Sequence, residues 1–323
     1  MMKKVCIVGA GAIGSLYAAH LARVAEVWCL VRREEHAHAL DERGLRVSGT
    51  HDFTVQVNAE TRPDRLPHFD LGIVATKATQ AAEAFRPVGH LFDGGAIISA
   101  QNGLGSEEIL AALTRGKIIR ACTFMSGTRH SDSHVQYELD TPTWLGPFEP
   151  TGTPFSTVKE AADLIVAGGL KAEALEDCRP AQWSKLIFNA SVNAVSALTD
   201  LPHCREFAEG FVGDLMKELI EEGKSVAAAA GIRLQDDPWE MNRIGCQTDH
   251  PTSMLYDVRH RQPTEIDFLC GAIAREAVRL GVPAPRHTAM YQLIKGRELS
   301  WEWESDARKT AAKHALDSYR VAK

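Results

Sequence analysis

No stretch of this 323-residue chain approaches the ~20 uncharged apolar residues that a bilayer-spanning helix requires. Basic runs are equally absent. With 36 Lys+Arg against 42 Asp+Glu the formal net charge is −6, so neither nucleic acid nor an anionic membrane is expected as the main partner. There is no C-x-x-C, and the seven cysteines are odd in number and widely scattered. That is the pattern of reduced thiols in a cytoplasm, not of a secreted disulfide framework. Met-Met-Lys-Lys leads straight into an apolar segment, so no signal peptide is expected. The thirteen histidines form no H-E-x-x-H and no zinc spacing with cysteine, and His36, His38, His130 and His134 read as surface residues. G-x-S-x-G and the Walker lysine motif are also missing, which sets serine-hydrolase and P-loop chemistry aside.

What is present begins at once. Val5-Cys6-Ile7-Val8 is a short apolar run, followed by Gly9-Ala10-Gly11-Ala12-Ile13-Gly14 and then by Leu16, Ala19, His20 and Leu21 at helical spacing. This is strand, glycine turn, helix. Gly9 permits the tight turn, Gly11 lets a pyrophosphate approach the backbone, and Gly14 lets the helix pack closely on the strand. The amides freed at the helix start favour anionic phosphates, so a dinucleotide is the expected cofactor. The next strand, Val27–Val31, ends in Arg32-Arg33, where an NAD enzyme would carry an acidic residue for the ribose 2′-hydroxyl. Arginine suits a 2′-phosphate, so Arg32 points to NADP, although Glu34 and Glu35 follow closely.

The length exceeds one ordinary core and predicts two domains, while 45% hydrophobic residues can fill both. Strand and helix alternate up to Glu176. Asp70–Thr76 leads to Lys77, and Ala96–Ala100 breaks at Gln101-Asn102-Gly103. Ser106 is placed to cap the next helix, with Glu107 and Glu108 in its first turn. Strands at Ile118–Phe124, Val135–Leu139 and Thr143–Leu145 should extend the same sheet. Lys77 and Asn102 fall at carboxyl ends of strands, where open α/β sheets bind ligands, though Asn-Gly is also a common turn pair. Thereafter the pattern is helical. Arg205–Gly231 places Phe207, Phe211, Leu215, Leu219 and Ile220 on one face. Thr264–Leu280 starts from Thr264 as N-cap, with Asp267 completing a capping-box pattern and Glu265 in the first turn. The tail from Glu298, with Trp301 and Trp303 among charges, reads as a surface helix. The expected architecture is therefore α/β: a Rossmann-type doubly wound sheet over residues 1–177, then an all-helical domain over 178–323.

One helix stands apart. From Leu186 to Leu198 there is no charge, yet Lys185, Asn189 and Asn193 recur at i, i+4 and i+8 on one face. Burying a polar group costs roughly 1–3 kcal/mol unless something bonds to it, and an unpaired lysine costs more. One ammonium and two amides on an otherwise apolar helix call for an oxygen-rich ligand, a small carboxylate or carbonyl compound. The alternative is a solvated stripe, but such faces usually carry Glu, Lys or Arg in place of Asn among Ala, Val and Phe.

The glycine turn, Lys77 with Gln80, Asn102-Gly103, Lys185 with Asn189 and Asn193, Ser253-Met254-Leu255 with Asp257, and Thr264-Glu265-Ile266-Asp267 come in the order found in ketopantoate reductases. The chain resembles that family from about residue 3 to 298. The resemblance implies NADPH-dependent reduction of 2-dehydropantoate to pantoate in pantothenate biosynthesis, in a cytoplasmic enzyme. It makes Lys185 the proton donor, Asn189 and Asn193 substrate holders, and Ser253 the partner of the substrate carboxylate. Glu265 would lie by cofactor and substrate, and Lys77 and Asn102 by the nicotinamide half. Three positions depart from the family pattern: Ala194 for a proline, His250 for an asparagine before Ser-Met-Leu, and His203 for a further substrate-facing asparagine. All concern the substrate. Two other readings therefore stay open, a same-fold reductase of another 2-oxo acid or imine, and a catalytically idle NADP-binding regulator. The oligomeric state is not legible, a homodimer being one option.

Overall fold

Alternate residues of the first strand bury into opposite cores, Val5 and Ile7 on one side and Cys6 and Val8 on the other. A strand buried on both faces belongs at the centre of a parallel sheet. In the computed structural model, which describes residues 2–321 with side chains up to Trp303, the chain divides into two compact units, Met1–Lys185 and Leu186–Lys323.

Among the described residues the first unit carries twelve strands: β1 (Lys4–Val8), β2 (Glu26–Leu30), β3 (Leu45–Gly49), β4 (Phe53–Val55), β5 (Asn58–Glu60), β6 (Leu71–Val74), β7 (Ala96–Ser99), β8 (Lys117–Thr123), β9 (Ser126–Ser131), β10 (His134–Leu139), β11 (Thr143–Pro147) and β12 (Ala172–Ala174). Its helices are α1 (Ala12–Leu21), α2 (Glu34–Arg43), α3 (Ala81–Phe85), α4 (Ser106–Ala111) and α5 (Phe155–Ala167). Eight strands form one sheet in the order β12-β11-β8-β7-β6-β1-β2-β5. From β8 to β5 all neighbours are parallel, and β11 joins antiparallel to β8. From β1 the chain winds to β2 on one side, and β6 takes the other side. That is a topological switch point, and the carboxyl ends of β1 and β6 open the crevice where such sheets bind ligands.

The expected Val135–Leu139 strand does not extend this sheet. It lies in β10, which pairs with β3 and β9 in a second sheet of order β4-β3-β10-β9. Alternating hydrophobicity marks a strand but not its partner, so both sheets were open to it. His36 is likewise not a surface residue: it is buried at 5% exposure on α2, and burial lowers its pKa.

Helix α6 (Arg179–Thr199) starts just after the composition change at 177/178. The division into units falls at 185/186, because the first turns of α6 hydrogen-bond to first-unit residues through Gln182 and Lys185.

The second unit is helical: α7 (Gly210–Ala229), α8 (Pro238–Gly245), α9 (Ser253–Arg259), α10 (Cys270–Leu280) and α11 (Pro285–Val321). Two sequence expectations change here. The helix expected from Arg205 begins at Gly210, after a short 3-10 turn, and its buried face runs through Met216, Leu219, Ile220 and Val226. Phe211 is 96% exposed and Leu215 only half-buried. Thr264 does not cap a helix that reaches Leu280. A 3-10 turn at Ile266–Phe268 intervenes, Thr264 donates its hydroxyl to Glu298, and Asp267 is held by Tyr291 and Lys295. The main chain of the C-terminal tail continues α11, while the side chains beyond Trp303 lie outside the described residues. All seven cysteines are buried and unbridged. No helix among the described residues is long and apolar enough to cross a membrane.

Candidate functional site

The glycine turn closes against the ends of its neighbouring strands. Gly9 holds φ +96°, and its N–H donates to Leu30 O at the end of β2 over 3.1 Å. A Cβ at Gly9 would stand 2.5 Å from Thr76 Cγ2, and one at Gly14 only 2.0 Å from Gly9 O, so neither position accepts a side chain. At Gly11 nothing lies within 4 Å of that point, which leaves room for a ligand to approach the backbone. No side chain caps α1, so its first amides are left for an outside acceptor, as a phosphate-binding helix start requires. Ala10 is buried, while Ala12 and Ile13 pack against the core from the first turn. The turn therefore fits a dinucleotide in its own geometry.

Around it, Arg32 is exposed just beyond β2. Its neighbours are engaged within the protein: Arg33 pairs with Asp132, and Glu34 accepts from the Thr61 hydroxyl. Lys77 is half-buried after β6, at the head of a 3-10 turn over Ala78–Gln80. Thr76 Oγ1 and Gln101 Nε2 are buried nearby without a hydrogen-bond partner in the protein.

Lys185 reaches the carboxyl ends of β7 and β8. Its Nζ donates to Asn102 Oδ1 at 2.8 Å and to the backbone carbonyl of Thr123, and it stands 5.2 Å from the Phe124 ring centroid. Asn102 follows β7 and Thr123 ends β8. Three strand spacings separate β1 from β8, about 14 Å, so an extended ligand lying across the strand ends can run from the glycine turn to this ammonium. The two sequence-predicted residues Lys185 and Asn102, 83 positions apart, are thus in direct contact.

Residue types alone did not announce three parts of this arrangement. The Thr123 carbonyl is a backbone atom and leaves no sequence signal. Ser106 is not the cap of α4: Gly105 occupies that position with φ 108°, and the buried Ser106 hydroxyl is unpartnered. Glu107, in the first turn of α4 as expected, is 2% exposed and accepts from Gln182 Nε2 at 2.7 Å. Burial pushes its carboxyl above the ordinary range, and the nearby Arg120 opposes that rise.

The remaining predicted residues lie in the second unit. Asn189 is half-buried and Asn193 8% exposed, one and two turns along α6 from Lys185. Ser253 is exposed at the first position of α9, whose cap is the Thr252 hydroxyl accepting from Leu255 N–H at 3.1 Å. Glu265 is half-buried and precedes a 3-10 turn, not the first turn of a long helix. Around the buried His203, Nε2 lies 2.9 Å from Asn242 Oδ1, and the His203 N–H donates to His250 O at 3.0 Å. Two of the three departures from the family pattern are therefore bridged to each other.

Two family descriptions match the chain: "Ketopantoate reductase PanE/ApbA" over residues 5–150 and "Ketopantoate reductase PanE/ApbA C terminal" over 177–298. A 2-dehydropantoate 2-reductase of Pyrococcus abyssi is 29% identical over 298 residues, covering 91% of this chain and 98% of its own. One from Pyrobaculum aerophilum is 30% identical over 301 residues, covering 90% and 97%. Among solved structures, a PanE/ApbA family ketopantoate reductase from Ralstonia eutropha JMP134 superposes with TM-score 0.82 at 29% identity, over 93% of this chain and 99% of its own. D-mandelate dehydrogenase with NADH and anilino(oxo)acetate gives TM-score 0.83 over 92% of this chain and 99% of its own, but at 22% identity it shares the fold alone.

Proposed function

The chain belongs to the ketopantoate reductase family of oxidoreductases, and on that footing we propose that it reduces a small 2-oxo acid, 2-dehydropantoate first among them, with NADPH as hydride source and Lys185 as general acid. The observation that carries this reading is the Lys185 ammonium, half-buried at the carboxyl ends of two parallel strands and held by Asn102 Oδ1 and the Thr123 carbonyl. A lysine brought to that place by a neutral amide and a backbone carbonyl can give up a proton to a nearby oxyanion.

Gly9 to Gly14 would hold the pyrophosphate, Arg32 the ribose 2′-phosphate, and Lys77 with Asn102 the nicotinamide half. Bound NADPH supplies a hydride to the C2 carbonyl carbon of the substrate. As that carbon becomes tetrahedral, its oxygen takes up charge and then a proton from Lys185 Nζ, leaving a neutral amine that recovers its proton from solvent. Asn102 and Asn189 contribute amide donors toward the growing charge. Asn193 and Ser253 hold the substrate, Ser253 through its carboxylate. Glu265 would accept a hydrogen bond from a substrate hydroxyl.

The test is NADPH oxidation against a panel of 2-oxo acids that includes 2-dehydropantoate, run on wild type and Lys185→Ala. A positioned acid is worth roughly 10²–10⁴-fold, and kcat should fall by that factor while NADPH binding holds. A folded Lys185→Ala with near-normal kcat would remove the lysine from the mechanism. A second reading, the same reaction on a different 2-oxo acid, is supported by the substrate-side departures, His203 and His250 standing where the family pattern has asparagine. In that case the panel will show a member other than 2-dehydropantoate with the higher kcat/KM.

A further inference from the structure

Helix α6 grips the Asn102-Gly103 turn at two points. Lys185 Nζ holds Asn102 Oδ1 at 2.8 Å, and one turn earlier on the same helix Gln182 Nε2 donates to Gly103 O at 3.3 Å. The same Nε2 donates to Glu107 Oε1 at 2.7 Å, and Gln182 Oε1 accepts from Arg120 Nη1 at 3.4 Å. Both ends of the Gln182 amide are thereby committed, and its orientation is set. Gln182 is 6% exposed and Glu107 2% exposed. The turn they hold contains Gly103 at φ +89° and Gly105 at φ +108°, two residues of little intrinsic conformational preference. Such a turn takes its position from what grips it.

A buried carboxylate is costly, and a surface residue at the start of a six-residue helix would serve α4 as well. The physical return for burying Glu107 is the fixed amide of Gln182. We infer that Glu107 and Gln182 are positioning residues: Glu107 holds Gln182, and Gln182 holds the Asn102-Gly103 turn in register with Lys185. The inference rests on the proposed role of Lys185 for its catalytic consequence, but not for its structural one. Losing the Gln182 donor lets the turn shift and releases Asn102 from the ammonium. A displacement of about 1 Å at a reacting group costs up to about 10² in rate.

Two measurements separate the inference from the reading beneath it. The first is turnover of the preferred 2-oxo acid by Gln182→Met, Glu107→Leu and Glu107→Gln. The first two should lower kcat at least tenfold with the NADPH Kd within about twofold of wild type. Glu107→Gln, which keeps an acceptor for Gln182 Nε2, should recover most of the loss that Glu107→Leu causes. The second needs no substrate: the rate at which trinitrobenzenesulfonate labels Lys185, read by peptide mass spectrometry. Gln182→Met should label Lys185 at least about threefold faster than wild type, while Lys171, an exposed lysine paired with Asp140, keeps its rate. Unchanged Lys185 labelling in folded Gln182→Met overturns the inference whatever happens to kcat. Faster labelling in that variant, with Lys185→Ala as active as wild type, supports the inference and sinks the assignment of Lys185 as the acid.

Discussion

His20 sits at the end of α1 with no exposed surface, and it should set the acid limit of the first unit. Its Nδ1 lies 3.2 Å from Gly168 O, so Nδ1–H donates and Nε2 is left to accept from His51 Nδ1 at 3.3 Å. Phe53 and Tyr137 pack edge-on at 5.0 and 5.9 Å. Burial pushes its pKa down to about 4; His51 and Arg23 add to the shift, while the Gly168 bond and Asp140 oppose it. In the unfolded chain the same imidazole takes its proton near pH 6.5. Between those values the unfolded state binds more protons than the folded one, so stability falls as the pH falls. The full shift corresponds to about 3 kcal/mol, lost progressively from about pH 6.5 to pH 4. His20→Gln removes the titration but keeps a donor for Gly168 O. The variant should be less stable than wild type at pH 7 through poorer packing, yet it should lose about 2 kcal/mol less than wild type on going from pH 7 to pH 4.5. Urea unfolding followed by tryptophan fluorescence at several pH values measures both slopes. Parallel curves for wild type and variant would refute the assignment of the acid sensitivity to His20.

Three further expectations concern the proposed site. Because Arg32 is exposed beyond β2 and Arg33 is paired with Asp132, Arg32→Glu should narrow or reverse the preference for NADPH over NADH, and equal affinities of wild type for the two cofactors would sink the NADP assignment. Gly14→Ala places a Cβ 2.0 Å from Gly9 O, so the turn must open; cofactor titration should show at least a tenfold weaker Kd, and unchanged binding would mean that the turn does not hold the pyrophosphate. Lys185→Arg should not restore turnover, since guanidinium stays protonated and does not deliver the proton, and a kcat above a tenth of wild type would argue for a purely electrostatic cation.

The glycine turn was legible residue by residue, because the backbone conformation at Gly9 and the approach of Gly14 to Gly9 O tolerate no side chain. Lys185 stood out in the sequence because an ammonium on an otherwise apolar helix needs oxygen partners, and Asn102 Oδ1 and the Thr123 carbonyl are two that it finds. Arg32, Lys77 and Asn102 were expected just beyond strand ends, which a parallel-sheet pattern marks along the chain, and they lie after β2, β6 and β7. Local pattern could not say which sheet the Val135–Leu139 strand would join, since pairing is chosen by segments such as β3, far away in sequence. Nor could it place Phe211 in solvent or Glu107 in the interior. Amphipathic spacing proposes a face, and only the neighbouring elements decide whether that face is covered. The Thr123 carbonyl lay beyond any reading of side chains, because every residue has one. Periodicity and turn chemistry act over a few residues and so survive in a linear string. The bonds from Lys185 to Asn102 and from Gln182 to Glu107 join positions some eighty residues apart, and they exist only once the sheet has brought those strand ends beside α6.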